Sequence, residues 1–142
     1  LVVTGCLVEQ GGEALATLPE IDQIVANKEK ERLIEQLFPG HDHYPEFQIA
    51  QFEAHTRAFV KVQDGCNSFC TYCIIPYVRG RSRSRTLAEV VAEVEGLVAN
   101  GYREIVLTGI NIGDFDGGGY RLSDLVRAVD KVPGLDRLRL SS

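Results

Sequence analysis

Three of the four cysteines of this chain, Cys66, Cys70 and Cys73, lie within eight residues of one another. Three cysteines at this spacing cannot all pair among themselves, and the fourth, Cys6, lies 60 residues upstream. Clustered thiolates are soft ligands that suit iron or zinc, so the spacing favours a metal centre over disulfide bonds. Two kinds of centre remain open at this point. One is a closed zinc site completed by Cys6 or by a histidine such as His55, and the other is an iron–sulfur cluster with one iron free for a non-protein ligand.

The residues between and around the cysteines carry a resemblance to a known family. The spacing resembles the motif of the radical S-adenosylmethionine (SAM) enzymes, and it reads Cys66-x-x-x-Cys70-x-Tyr72-Cys73. The flanking segments resemble the methylthiotransferase branch of that family. They read Asp64-Gly65-Cys66-Asn67 before the motif, and Ile74-Ile75-Pro76-Tyr77-x-Arg79-Gly80 and Ser84-Arg85 after it.

This resemblance implies a cofactor and the residues that bind it. The three clustered cysteines would hold a [4Fe–4S] cluster whose open iron binds SAM, and Tyr72 would contact the adenine. One-electron cleavage of SAM would then give a 5′-deoxyadenosyl radical. The segment Leu107–Asn111 resembles the family segment beside SAM, so Gly109 and Asn111 are expected there too. Considered without the resemblance, these two residues fit an ordinary turn after a strand.

Cys6 follows a short apolar run, where a lone cysteine is ordinarily a small buried hydrophobic residue. The surrounding residues 2–10 resemble the last cysteine segment of the amino-terminal methylthiotransferase domain. That resemblance implies that Cys6 is a ligand of a second, auxiliary [4Fe–4S] cluster. The other two ligands are expected upstream of Leu1, so this chain alone should not hold that cluster.

Four arginines, at positions 79, 81, 83 and 85, form a basic stripe directly after the cysteines, although the formal net charge of the chain is −5. Such a stripe is either a solvated loop with acidic neighbours or a contact for phosphates of a substrate or of RNA. The family resemblance implies that Arg79 and Arg85 serve substrate binding or the ordering of the loop.

Composition limits the class of protein. With 142 residues, 44% of them hydrophobic, the chain can bury a core, yet it has no run of eighteen apolar residues, and nothing at its start reads as a signal peptide. We therefore expect a cytoplasmic protein with no membrane contact, where clustered cysteines bind metal. The sequence contains no methionine, begins inside the apolar run Leu1-Val2-Val3 and stops at Leu138-Arg139-Leu140-Ser141-Ser142. We interpret it as a fragment of a longer protein, inactive on its own.

The hydrophobic pattern predicts alternating strands and helices. Strands are predicted at 1–4, 21–26, 58–62, 104–108 and 138–140, and helices at 9–18, 28–38, 87–99 and 122–132. In the second helix, the side chains expected to face inward are Leu33, Ile34, Leu37 and Phe38. The alternation indicates an α/β fold whose units from residue 58 onward begin a β/α barrel. Ligands of such barrels collect where strands end, so the cysteine segment and Gly109–Asn111 should be adjacent.

The predicted organisation has three parts. Residues 1–40 are expected to be the C-terminal part of the methylthiotransferase amino-terminal domain, 41–57 a linker, and 58–142 the first part of the radical SAM core, a partial TIM-type barrel. The linker contains His41, His43 and His55. We interpret these histidines as solvated because no carboxylate or cysteine lies at ligand spacing.

The function that the resemblance implies is methylthiolation of C2 of N6-threonylcarbamoyladenosine at position 37 of tRNA. Its partners would be the tRNA anticodon loop and an electron donor such as flavodoxin or ferredoxin. The branch that modifies isopentenyladenosine-37 tends to carry Gly-Gln-Asn where this chain has Gly109-Ile110-Asn111. The branch that modifies a ribosomal-protein aspartate differs more strongly from this chain at the same segment. Both remain alternatives. Outside the family, a zinc-stabilised RNA-binding module and an electron-transfer iron–sulfur protein with four cysteine ligands would also explain the cysteines.

Overall fold

The computed structural model describes residues 1–40 and 57–142, which form a mixed α/β structure. The chain divides into two compact units. Of the described residues, the first unit contains 1–40 and 69–80, and the second contains 57–68 and 81–142. The predicted linker, apart from Arg57, and the three histidines lie outside the described residues, so the predicted domain bounds stay predictions.

The first unit is built on a pair of parallel strands, β1 (Val2–Thr4) and β2 (Gln23–Val25), with Val3 opposite Ile24. Its helices are α1 (Cys6–Leu15), a 3-10 helix (Asn27–Arg32), α2 (Leu33–Leu37) and α3 (Ile75–Val78). Both predicted strands are confirmed, with shorter bounds. The segment that follows the clustered cysteines therefore belongs to the same compact unit as the amino-terminal residues.

Two helices of the first unit differ from the expectation. The α1 helix begins at Cys6, three residues early, because Gly5 takes a positive φ of 103° that turns the chain directly out of β1. The stretch 28–38 forms a 3-10 turn and then a helix of only five residues. Since so short a helix buries only a narrow face, Ile34 and Phe38 are exposed, by 37% and 54%, and the expectation that they face inward is wrong.

The second unit is organised around a parallel three-stranded sheet with strand order β3-β6-β7. Its strands are β3 (Arg57–Lys61), β6 (Glu104–Thr108) and β7 (Arg137–Ser141), and Leu107 lies opposite both Val60 and Leu140. A short antiparallel pair, β4 (Gln63–Asp64) and β5 (Arg83–Ser84), brackets the cysteine segment in the sequence. The three predicted strands of the sheet are confirmed.

The helices of the second unit are α4 (Leu87–Ala99), α5 (Leu122–Val129) and a 3-10 helix (Ile112–Asp114). A capping box starts α4: the side chain of Thr86 accepts from the Glu89 amide, and the Glu89 carboxylate accepts from the Thr86 amide. Apolar side chains of both helices pack against the sheet, and the core includes Val60, Val62, Val90, Val94, Leu97, Ile105, Leu107, Leu125 and Val129. No helix in the described ranges is long and apolar enough to cross a membrane.

The glycine-rich segment 113–119 is anchored, although its composition predicts a flexible loop. Phe115 is fully buried in the core. The Asp116 amide donates to Ser84 Oγ over 3.0 Å, and the Gly117 amide donates to the Tyr120 carbonyl over 2.9 Å. The segment therefore helps to hold β5, which pairs with the residues that lead into the cysteines.

Candidate metal and cofactor site

The carboxyl ends of β3 and β6 position the predicted site residues of the second unit. Lys61 and Thr108 are register partners at the ends of the two parallel strands, so the chain leaves both strands at one edge of the sheet. Residues 62–68 follow the first strand and residues 109–114 follow the second. This is the edge at which open α/β folds collect ligands.

Cys66 is partly buried in this edge, and its sulfur faces hydrogen-bond donors. The backbone amide of Ser68 donates to Cys66 Sγ over 3.4 Å. This amide, with the Ser68 side chain, lowers the pKa of the Cys66 thiol, and the side chain of Asn111 lowers it further. Partial burial and the charge of Asp114 act in the opposite direction. The net effect favours the thiolate, which is the form that binds metals.

Asn111 and Cys66 belong to the two segments that were expected to be adjacent. Asn111 comes three residues after β6, and its side chain is close enough to lower the pKa of the thiol of Cys66, which comes five residues after β3. The cysteine segment and the Gly109–Asn111 segment are therefore adjacent at Cys66 and Asn111.

Gln63 is the residue that connects these segments, and the sequence analysis missed it. Its side chain is 2% exposed. Its amide nitrogen donates to the Gly65 carbonyl over 2.7 Å and to Ser82 Oγ over 2.8 Å, while its amide oxygen accepts from the backbone amide of Asn111 over 2.9 Å. The sequence did contain one indication of its role: a polar amide that directly follows a predicted buried strand and precedes the first clustered cysteine.

The Gln63 side chain lies very close to the backbone of Gly109. A Cβ atom at position 109 would lie 2.9 Å from Gln63 Oε1 and 3.1 Å from Gln63 Cβ. Both distances are shorter than ordinary contacts of a Cβ atom, so a side chain at position 109 would displace this buried amide.

The other two clustered cysteines belong to the first unit. Cys70 is exposed and Cys73 is partly buried, and the Cys73 amide donates to the Cys70 carbonyl over 3.0 Å, which closes a turn between them. Tyr72 lies in that turn with 91% of its surface exposed. The turn leads directly into α3, where the rings of Phe69 and Tyr77 meet edge to face at 5.6 Å.

A buried asparagine holds the segment after these cysteines to the rest of the first unit. Asn27 is 5% exposed, and its side-chain nitrogen donates to the Val78 carbonyl over 3.2 Å. Its own backbone amide donates to Glu9 Oε1 over 2.8 Å. Asn27 thereby connects the end of β2, helix α1 and helix α3, and the sequence analysis did not identify it.

The remaining predicted site residues have the following positions. Cys6 is the first residue of α1, partly buried, at the carboxyl end of β1 as expected. Arg79 caps the C-terminal end of α3, and its amide donates to the Ile75 carbonyl over 2.8 Å. Arg85 forms an ion pair with Glu93 of α4, so its charge is used within the second unit.

The chemistry of the donors fits an iron–sulfur cluster. All four cysteines are free of disulfide bonds, and the hydrogen bonds from Ser68 lower the pKa of the Cys66 thiol. Across residues 1–40 and 57–142, however, no three His, Cys, Asp or Glu side chains are gathered into a group that could hold a metal ion. The assignment of Cys66, Cys70 and Cys73 to one cluster therefore stays a prediction from their spacing.

A comparison with protein families supports the interpretation of the motif. The family model of the radical SAM superfamily matches residues 60–140. The matched stretch begins in β3, includes the three clustered cysteines and ends in β7.

Curated proteins similar to this chain cover it from end to end. The threonylcarbamoyladenosine tRNA methylthiotransferase MtaB of Chlamydia pneumoniae is 54% identical, over 100% of this chain and 34% of that protein. The protein of the same name from Bacillus subtilis is 34% identical, over 100% of this chain and 36% of its own length. A tRNA-2-methylthio-N(6)-dimethylallyladenosine synthase of Cereibacter sphaeroides is 36% identical, over 99% of this chain and 35% of that protein. The chain thus spans 34% to 36% of the length of these relatives.

Proposed function

Because this chain belongs to the radical SAM superfamily, we propose that the protein is a tRNA methylthiotransferase. The reaction adds a methylthio group to C2 of N6-threonylcarbamoyladenosine at position 37. One observation carries the proposal: the chain is 54% identical, along its whole length, to a protein named for this nucleoside. The motif Cys66-x-x-x-Cys70-x-Tyr72-Cys73 supplies the chemistry that such a reaction needs.

The clustered cysteines are assigned to a [4Fe–4S] cluster. Three cysteine ligands leave one iron open, and SAM is the ligand that would occupy it. When bound and reduced by the electron donor, the cluster would supply the electron for cleavage of SAM to the radical that activates C2 of the adenosine. A second SAM molecule would supply the methyl group. Cys66 contributes a thiolate stabilised by the Ser68 amide, and Cys70 and Cys73 contribute thiols from a turn that is open to solvent.

Tyr72, Gly109 and Asn111 are assigned to SAM. The ring of Tyr72 is 91% exposed, which leaves both of its faces available to adenine. Asn111 carries an amide that can donate and accept, and it already lies beside Cys66. Gly109 contributes indirectly, since its lack of a side chain lets Gln63 reach the Asn111 backbone.

Two further assignments follow for the rest of the chain. Residues 58–142 are the first part of a partial TIM-type barrel, a proposal supported by the parallel strand order β3-β6-β7. Residues 1–40 are the C-terminal part of an amino-terminal cluster domain. There, Cys6 is a ligand of a second [4Fe–4S] cluster whose other ligands this chain does not supply. Arg85 orders the loop after the motif through Glu93, and Arg79 serves substrate binding or the same ordering.

The implied partners are the anticodon loop of tRNA and a one-electron donor such as flavodoxin or ferredoxin, in the cytoplasm. The protein would bind an RNA despite a formal net charge of −5. Within the stripe of arginines at positions 79–85, the exposed Arg81 and Arg83 support this partner, whereas Arg85 pairs with Glu93.

The test uses the full-length protein, reconstituted with iron and sulfide without oxygen, together with SAM, a reductant and tRNA that carries the unmodified threonylcarbamoyl nucleoside. Nucleoside mass spectrometry should detect the 2-methylthio product, and metal analysis should find iron. Bound zinc with no product would instead support the zinc-stabilised RNA-binding module. A cluster whose spectrum does not respond to SAM would support an electron-transfer protein.

Modification of isopentenyladenosine-37 is the second candidate, because a dimethylallyladenosine synthase is 36% identical over 99% of the chain. The same assay with tRNA carrying that nucleoside decides between them. Product from the isopentenyl tRNA alone would replace the proposed substrate and leave the enzyme class unchanged. The ribosomal-protein alternative predicts no tRNA product at all.

A further inference from the structure

The buried amide of Gln63 lies between the two segments that leave the sheet at one edge. It is a fully buried polar side chain of the second unit, and its polar atoms reach both segments. On one side it contacts Gly65, the residue before Cys66. On the other side it contacts the backbone of Asn111.

The hydrogen bonds of this side chain use its whole donor capacity. A glutamine amide has two N–H donors and one carbonyl acceptor. Three acceptors lie within reach of the nitrogen, and the two shortest distances are 2.7 Å to the Gly65 carbonyl and 2.8 Å to Ser82 Oγ. The oxygen accepts from the Asn111 amide over 2.9 Å. A buried amide with this many partners has one orientation, because a flipped amide would direct donors at the Asn111 N–H.

The neighbouring glycine matches this orientation. The Gln63 side chain occupies the space that a Cβ at position 109 would enter, at 2.9 Å from Oε1. Gln63 and Gly109 therefore form a complementary pair, in which the missing side chain of one makes room for the long side chain of the other. The pair fixes the backbone immediately before Asn111.

We propose that Gln63 is a positioning residue that holds the Gly109–Asn111 segment against the Cys66 segment, so that the Asn111 side chain is presented beside Cys66. What the two residues then bind, a cluster and SAM, rests on the proposed function. The positioning itself is a property of this chain, and it can be measured without any cofactor.

The variant that tests this is Gln63→Met, which keeps the length and volume of the side chain but loses every hydrogen bond. Gln63→Asn keeps the amide and shortens it by one methylene, so it cannot span the two segments. Gly109→Ala keeps the amide but displaces it. Gln36→Met, at a half-buried position of α2 in the first unit, is the matched control.

The first measurement is amide hydrogen exchange of the cluster-free, full-length protein, followed over peptides covering residues 109–113. Exchange there should accelerate about tenfold in Gln63→Met, Gln63→Asn and Gly109→Ala, and it should stay unchanged in Gln36→Met. Circular dichroism identifies variants that do not fold. Any one of the three variants that does fold is sufficient for the test. Unchanged exchange at 109–113 in a folded Gln63 variant overturns the proposal.

The second measurement is a SAM titration of the reconstituted and reduced protein, followed by electron paramagnetic resonance. Loss of a residue that orients a ligand commonly weakens binding about 10- to 100-fold, and we expect the half-saturating SAM concentration to rise by at least the lower figure. If a variant with accelerated exchange has the half-saturating SAM concentration of wild type, Gln63 has no role in SAM binding. If the wild-type spectrum does not respond to SAM, the proposed function fails, whereas the exchange result still decides whether Gln63 positions Asn111.

Discussion

Cys66 shows how single residues prepare a thiol for metal binding. The backbone amide of Ser68 donates to its sulfur, and the side chain of Asn111 also lowers the pKa of its thiol. Hydrogen bonds to a sulfur anion favour the anion, so each contact lowers the pKa of the thiol. These two contacts come from different segments of the second unit, and the Asn111 contact depends on where the chain leaves β6.

Replacing Asn111 by alanine should make Cys66 less reactive in the metal-free protein. The substitution removes one stabilising contact of the thiolate, so the pKa of Cys66 should rise while the Ser68 amide still holds it below its ordinary value. At a pH below the pKa, alkylation of Cys66 by iodoacetamide should slow about two- to tenfold, the effect of one ordinary hydrogen bond. Mass spectrometry of the Cys66 peptide across a pH series measures this.

The control for that experiment is Asn100→Ala, an exposed position at the C-terminal end of α4. It should leave the alkylation profile of Cys66 unchanged. At high pH, where the thiol is fully ionised, wild type and Asn111→Ala should react at similar rates. A profile for Asn111→Ala that coincides with wild type at every pH would contradict the contact.

At the scale of elements, the helix that follows the arginine stripe begins with a reciprocal cap. Substituting Thr86 by alanine removes the acceptor for the Glu89 amide and should lower the free energy of unfolding by about 1 kcal/mol. Thr86→Ser retains the hydroxyl and should cost much less. Urea denaturation of the two variants beside wild type measures the difference, and equal destabilisation by alanine and serine would show that the cap contributes nothing.

The pairing of β6 and β7 should give the second unit an acid-sensitive component. Arg139 and then Arg137 lower the pKa of Glu104, which they contact across the sheet. Because the folded-state pKa is below the unfolded one, this carboxylate contributes stability above the unfolded pKa. That contribution is lost as the pH falls through the folded pKa, below the ordinary range of glutamate.

The variant that isolates this contribution is Glu104→Gln, whose neutral amide cannot titrate. Its melting temperature should fall less than that of wild type as the pH is lowered from 6 to 3. Glu95→Gln, on the exposed side of α4, is the matched control and should follow wild type. Parallel curves for Glu104→Gln and wild type would mean that the ion pairs do not stabilise the fold.

The elements also show what a sequence pattern can predict. The strand at 104–108 was predicted with its observed bounds because Ile105, Val106 and Leu107 form a continuous apolar run, and all three are buried. The α4 helix was equally clear from its apolar spacing. Ile34 and Phe38 were assigned to the wrong face, since a repeat of 3.6 residues has no meaning in a 3-10 turn followed by five helical residues.

The candidate site was predictable only where a motif describes it. The cysteines were identified by spacing and Asn111 by its place after a strand. Gln63 and Asn27 were not, because each acts through backbone atoms of segments distant in sequence: Gln63 bonds to Asn111, and Asn27 bonds to Val78. A single buried amide produces no repeating pattern in the sequence, and its hydrogen-bond partners become known only when the tertiary structure is known.

At the scale of the whole molecule, the four cysteines are divided by sequence position into one isolated residue and one cluster. The proposed function gives them different tasks. Cys66, Cys70 and Cys73 would hold the cluster that binds SAM, and Cys6 would contribute to a second cluster. Replacing one cysteine at a time in the full-length protein should therefore produce two distinct classes of variant rather than a graded series.

Cys70→Ala should lose about half of the iron of the reconstituted protein and all of its spectral response to SAM, because a cubane cluster is normally unstable without one of its few protein ligands. Cys6→Ala should also lose about half of the iron but keep the response to SAM, since the open iron belongs to the other cluster. Thr71→Ala, an exposed position inside the motif, controls for disturbance of the turn and should retain both properties. Iron analysis and electron paramagnetic resonance with and without SAM provide the two readings. Loss of the SAM response in Cys6→Ala, or its persistence in Cys70→Ala, would contradict the division of labour between the cysteines and with it the assignment of the motif.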